Sequence, residues 1–148
     1  MSKQIWLSGL ALLAALVMVV FPVSALSTGP MNAAQIEATL FGKTFSGEYP
    51  SGTAWRETFE ATGRSIYEEG GRTDVGTMTF EGSAICFKYN DPERTGGCFI
   101  VWRRGLNCFD FYSTNNASSR LDRDRGERWD ARGWEEGVAK DCTAALIS

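Results

Sequence analysis

None of the 148 residues is histidine. That removes the commonest general base, and with it any Ser-His-Asp or Cys-His nucleophile. Acid–base chemistry in this chain falls to carboxylates. Alternation places Glu57 on the same strand face as Trp55 and Phe59, where burial would hold its proton more tightly than water does. An acid of that kind, paired with a second carboxylate, is what glycoside hydrolysis requires. The competing use is a position at a sheet edge or a pairing with Arg. Catalytic residues therefore stay unassigned.

Metal and phosphate chemistry find little to build on. The cysteines Cys86, Cys98, Cys108 and Cys142 include no C-x-x-C pair, which argues against a structural zinc site. Asp122, Asp124, Gly126 and Glu127 approach a calcium loop, but depart from it at the third acid, the glycine and the closing glutamate, so a solvated charged turn is expected. Glu69-Gly70-Gly71 and Thr95-Gly96-Gly97 lack the Lys and the helix start of a phosphate cradle. No metal or cofactor is expected.

Arg120, Arg123, Arg125, Arg128 and Arg132 crowd together, but Asp122, Asp124, Glu127 and Asp130 are threaded between them and the formal net charge is −3. A nucleic-acid partner is not expected, because phosphate binding needs unopposed Lys and Arg. Two binding surfaces remain. Trp55, Tyr67, Tyr89, Trp102 and Tyr112 could line a cavity at a barrel mouth, with core packing as the competing use. Arg125, Trp129 and Trp134 are residue types favoured as interface anchors.

The elements that would position these side chains follow from periodicity. Asn32 and Gln35 form a helix cap with its reciprocal partner, Ile36 and Leu40 give one apolar stripe, and Gly42 ends the helix. From Lys43 the period changes to two. Strands are expected near Lys43 to Tyr49, Thr53 to Ala61, Arg64 to Glu69, Val75 to Glu81, Ala84 to Asn90, Gly97 to Arg103 and Asn107 to Ser113.

Thr62-Gly63, Gly70-Gly71, Gly82-Ser83 and Arg104-Gly105 reverse the chain tightly, and only the connection through Asn90-Asp91-Pro92 is long. The expected fold is mainly β: an antiparallel meander closing into a small barrel or half-barrel, with one short N-terminal helix and an irregular tail over 114–148. A two-sheet sandwich is the alternative. The inward set is Trp55, Phe59, Met78, Phe80, Ile85, Phe87, Tyr89, Phe99, Val101, Phe109 and Phe111.

A turn centred on Pro92 sets Cys86 opposite Cys98, within disulfide reach. A turn through Arg103 to Leu106 would put Cys108 opposite Val101 and leave Cys98 on the other face. The expected bridges are Cys86 to Cys98 and Cys108 to Cys142, the second fastening the tail.

Oxidised cysteines imply export. Lys3, the apolar run Ile5 to Phe21 and the Val23-Ser24-Ala25 site read as a signal peptide over 1–25, with one domain over 26–148. Cutting after Ala25 removes one Lys and no acid, which takes the formal charge from −3 to −4. After cleavage nothing is left to span a membrane, and the location would be periplasmic or secreted. An uncleaved anchor is the alternative. Asn116-Ala117-Ser118 fits a glycosylation triplet, relevant only in a host that glycosylates exported chains.

The capped helix running into Leu40-Phe41-Gly42-Lys43-Thr44, the strands Gly76-Thr77-Met78-Thr79-Phe80 and Ala84-Ile85-Cys86-Phe87, and Gly97-Cys98-Phe99-Ile100-Val101-Trp102 carry a resemblance over Met31 to Asp110. In these the chain resembles a family of small exported alphaproteobacterial proteins that look like compact relatives of the lipocalin-type barrel. The resemblance implies an exported barrel-like domain and supplies no catalytic residues. The functional expectation is a binding module for a small apolar ligand or an envelope protein. A carboxylate-dependent hydrolase of envelope sugars and a structural or stress protein are the alternatives.

Overall fold

Among the described residues period-two patterning produces nine strands, which two short helices accompany. In chain order these are β1 (Gly29–Pro30), α1 (Ala33–Leu40), β2 (Lys43–Glu48), β3 (Ala54–Phe59), β4 (Arg64–Glu69), β5 (Arg72–Glu81), β6 (Ala84–Tyr89), β7 (Gly97–Gly105), β8 (Cys108–Ser113), α2 (Arg120–Arg125) and β9 (Ala131–Glu135). The computed structural model describes residues 28–116 and 118–143. The expected signal peptide over 1–25, and Ala117 of the glycosylation triplet, lie outside them. Among the described residues no helix is long and apolar enough to cross a membrane.

Strands β2 to β8 pair antiparallel in sequence, and β9 inserts antiparallel between β2 and β8. With β7 paired to β8, eight strands close into a barrel without a free edge. The two residues of β1 pair with Arg103 and Trp102 of β7, beyond the point where β6 stops at Ile100. The whole expected inward set lies in the core or packs against it.

Helix α1 corks one end. Its Asn32 side chain accepts from the Gln35 N–H at 2.9 Å while the Gln35 side chain accepts from the Asn32 N–H, which fixes where the helix begins. Ile36 and Leu40 are both fully buried beneath it, and Arg103 of β7 donates to Thr39 from the side. Among the described residues no helix plugs the opposite end, where β2, β4 and β6 finish.

Two expectations need correction. The tail is not irregular throughout: it contains α2, capped by Ser119 and Asp122 and closed by Gly126 in the left-handed conformation, and it contains the strand that completes the barrel. The Asp122 and Gly126 of the discarded calcium reading are thus helix caps. β9 escaped detection because its inward residues are Ala131 and Gly133, which look like nothing apolar. They are small because a Cβ on Gly133 would stand 2.7 Å from the Trp55 ring, and one on Gly47 of β2 would collide with the same ring.

The second correction concerns the β7–β8 hairpin. It turns at Leu106 and Asn107, so Cys108 faces Gly105 and Val101 faces Phe111. Irregularity at Arg104 accompanies a β7 that runs two residues past its expected end at Arg103. Both expected disulfides nevertheless form, Cys86 to Cys98 and Cys108 to Cys142. Cys86 and Cys98 are directly opposed in the β6–β7 ladder, as the first hairpin register required.

Candidate functional site

Seven aromatic side chains close a circuit inside the unplugged end of the barrel. Tyr49 meets Trp55 at 6.5 Å between ring centroids, Trp55 meets Phe111 at 6.2 Å, and Phe111 meets Phe99 at 6.5 Å. Phe99 meets Phe87 at 6.0 Å, Phe87 meets Tyr89 at 6.4 Å, and Tyr89 meets Tyr67 at 5.4 Å. A hydrogen bond of 2.6 Å between the Tyr67 and Tyr49 hydroxyls completes it. These separations are those at which aromatic pairs attract beyond simple burial. The circuit, with Ala131 and Asp130 on the β9 side, surrounds a cavity of about 90 Å³.

Glu57 lines the same cavity and is 5 % exposed. Its Oε1 accepts one hydrogen bond, from the Tyr89 hydroxyl at 2.9 Å. Among the described residues no Lys or Arg forms an ion pair with it. Burial disfavours the charged form and pushes the carboxyl up to about 7, against smaller opposing help from Tyr89 and Ser65. Burial likewise holds Tyr89 and Tyr67 above the usual phenol range, so both stay neutral donors.

One further polar atom is buried at this end without a hydrogen-bond partner, the Trp55 Nε1. A buried orphan donor costs roughly 1 to 3 kcal/mol. Ser65 sits opposite Gly76 in the β4–β5 ladder, and a Cβ on Gly76 would stand 2.8 Å from the Tyr89 ring. That glycine therefore makes room for the ring that donates to Glu57.

Glu57 sets a pH dependence. Unfolded, it releases its proton near 4.5; folded, it keeps the proton to about 7. Between those values the folded chain binds more protons, so stability falls as pH rises and the full cost is present above about 7. Glu57→Gln removes that fall. Urea unfolding at pH 5 and pH 8 should show the variant gaining about 2 to 3 kcal/mol over the native chain at the higher pH only.

Above the circuit lies a wider hollow of about 310 Å³, which shares Tyr49, Tyr67, Phe87, Tyr89 and Phe99 with the inner cavity and is roofed by the β6–β7 connection. From that connection Arg94 reaches over the Tyr67 ring at 4.8 Å and pairs with Glu69 and, at 2.8 Å, with Asp74. On the same connection Asp91 pairs with Arg72 at 2.6 Å.

Of the side chains expected at a barrel mouth, Trp55, Tyr67 and Tyr89 are brought together there. Trp102 and Tyr112 are not. Because Val101, Phe109 and Phe111 face inward, Trp102 and Tyr112 face outward, and both are buried on the outer surface. There Trp102 packs beneath Arg104, and Tyr112 accepts from Arg104 at 2.7 Å.

The proposed partner residues are also outside the barrel. Arg125 is exposed in the last turn of α2. Trp129 and Trp134 are half-buried, the first against Arg132 at 4.8 Å and the second against Lys140 at 3.7 Å. Tyr49 and Arg94 were missed in the sequence. The one available signal was the long β6–β7 connection, since loops that exceed hairpin length more often carry function. No known protein family, curated protein or solved structure matches this chain.

Proposed function

We propose that this chain is an exported, noncatalytic binding module that holds a small ligand in the unplugged end of its barrel. One observation carries the reading: a closed aromatic circuit encloses a cavity lined by a buried carboxyl that has no cationic partner among the described residues. Buried polar groups left short of partners concentrate where a ligand supplies the missing contacts.

Catalysis by paired carboxylates is less well supported. Asp74 and Glu69 are already engaged by Arg94, and Asp130 accepts from the Ser113 N–H at 2.7 Å and from Asn116. Docking of an envelope protein on Arg125, Trp129 and Trp134 is also the weaker reading, because each tryptophan already packs against a cation of its own chain. Export to the periplasm or medium, and kinship with the lipocalin-type barrels, belong to the same proposal. Two disulfides and a closed antiparallel barrel are what support them.

Size bounds the ligand. An apolar cavity of about 150 Å³ admits benzene, so about 90 Å³ accepts only a small head group, with any tail in the hollow above. Filling the cavity tests the site. Ala131→Leu should abolish the thermal stabilisation that small fragments give the native chain in a screen, at an overpacking cost of about 1 to 3 kcal/mol. Fragments that stabilise both proteins equally would refute the site.

A further inference from the structure

Resting on the reading of the barrel interior as a ligand site, we infer that its occupant is a small organic ammonium ion, with the positive head held against Glu57 inside the aromatic circuit.

Charge accounting at the site points there. Glu57 is an acid enclosed by rings and lacks a cationic partner. The nearest guanidinium on the roof, Arg94, is committed to Glu69 and Asp74. An ammonium ion would complete the missing pair while keeping its methyl or methylene groups against aromatic carbon. Aromatic faces attract such ions, most strongly where water is excluded. The position of Arg94 over Tyr67, 4.8 Å from the ring centre, shows one ring of the circuit already engaging a cation from the outside.

The approach is biased the same way. Around the roof Glu69, Asp74, Asp91 and Glu93 outnumber Arg72 and Arg94 by two charges. A surplus of negative charge at an opening concentrates cations and repels anions. A neutral guest of the same shape would fill the cavity but leave Glu57 uncompensated.

Affinity must then follow the ionisation of Glu57. The titratable groups facing it from the surrounding elements are Tyr89 on β6, Tyr67 and Glu69 on β4, Tyr49 at the end of β2, Asp74 on β5, Arg94 on the roof and Asp130 ahead of β9. The three tyrosines are held neutral by burial. Glu69 and Asp74 each form an ion pair with Arg94. With Glu57 titrating at about 7, its ionised share rises roughly tenfold between pH 6 and pH 8, and the affinity for a cation rises with it.

The test is calorimetric titration of the full chain with ethylammonium chloride, small enough for the inner cavity, and with its neutral isostere, ethanol. Ethylammonium is expected to bind about tenfold more tightly at pH 8 than at pH 6, and at least tenfold more tightly than the isostere at pH 8. The isostere should show no comparable pH dependence. Glu57→Gln should weaken ethylammonium at least tenfold and leave the isostere unchanged. Equal binding of the two compounds to the native chain would overturn the ammonium inference while leaving the cavity a ligand site. Binding of neither compound also overturns it, and the Ala131→Leu screen then decides the fate of the site separately.

Discussion

Asp110→Ala is expected to cost about 3 to 5 kcal/mol, the largest loss available from a single polar side chain here. Asp110 is fully buried although it points out of the barrel. It faces outward because Phe109 and Phe111 take the inward positions on either side of it. It is buried because the chain that follows β8 folds back over this surface through α2.

Its carboxylate accepts from Arg104 Nε at 2.6 Å and from Arg132 at 2.6 and 3.0 Å, and these two guanidiniums come from β7 and β9, the neighbours of β8 on either side. Arg104 continues to the carbonyl oxygens of Arg123 and Asp124, the negative end of α2. Removing the acid leaves two guanidiniums facing each other, one of them nearly buried, and loosens the clasp on the last strand. Urea unfolding measures the loss. A change below about 1 kcal/mol would show that the cluster adds no more than an exposed ion pair does.

The second large effect is the Cys108–Cys142 bridge. It spans a sequence separation of 34 against 12 for Cys86–Cys98. The chain-entropy account makes the longer loop worth about 4 kcal/mol and the shorter about 3. The longer one also encloses α2 and β9, so its loss frees the segment that closes the barrel. The shorter one joins strands already paired as a hairpin. Replacing Cys108 and Cys142 together by Ser should therefore lower the denaturant midpoint more than replacing Cys86 and Cys98. The reverse order would mean that β9 stays in place through its ladders with β2 and β8 alone.

Much of this architecture was legible in the residues. Seven strands, the capped helix, the inward set and the Cys86–Cys98 bridge follow from alternation, turn chemistry and hairpin register, whereas the Cys108–Cys142 bridge forms although the β7–β8 register behind that expectation does not. Those are local signals, and tertiary packing did not override them. The strand that closes the barrel was not legible, because Ala131 and Gly133 owe their small size to Trp55, which lies far away in the chain. Trp102 was misplaced for a related reason: an outward tryptophan looks like a mouth residue until α2 and the Arg104 cluster are seen to bury that surface.

Glu57 stood out in the sequence as an acid among aromatics. Its setting did not, because Tyr49, Tyr89, Phe99 and Arg94 reach it from four other parts of the barrel wall and roof. The site therefore runs against the local rule that a buried charge has a partner, while the rest of the barrel obeys it. A protein that keeps such an acid forgoes stability above neutral pH, a common cost of a binding site.

The most direct check is a carbon-13 NMR titration of the Glu57 side-chain carboxyl, alone and with saturating ethylammonium. The free protein should give a midpoint near 7, and ethylammonium should draw it well to the acid side as the ammonium head stabilises the carboxylate. A free midpoint near 4.5, the ordinary value for this group, would contradict the buried, unpaired carboxyl on which both the site and its ligand depend.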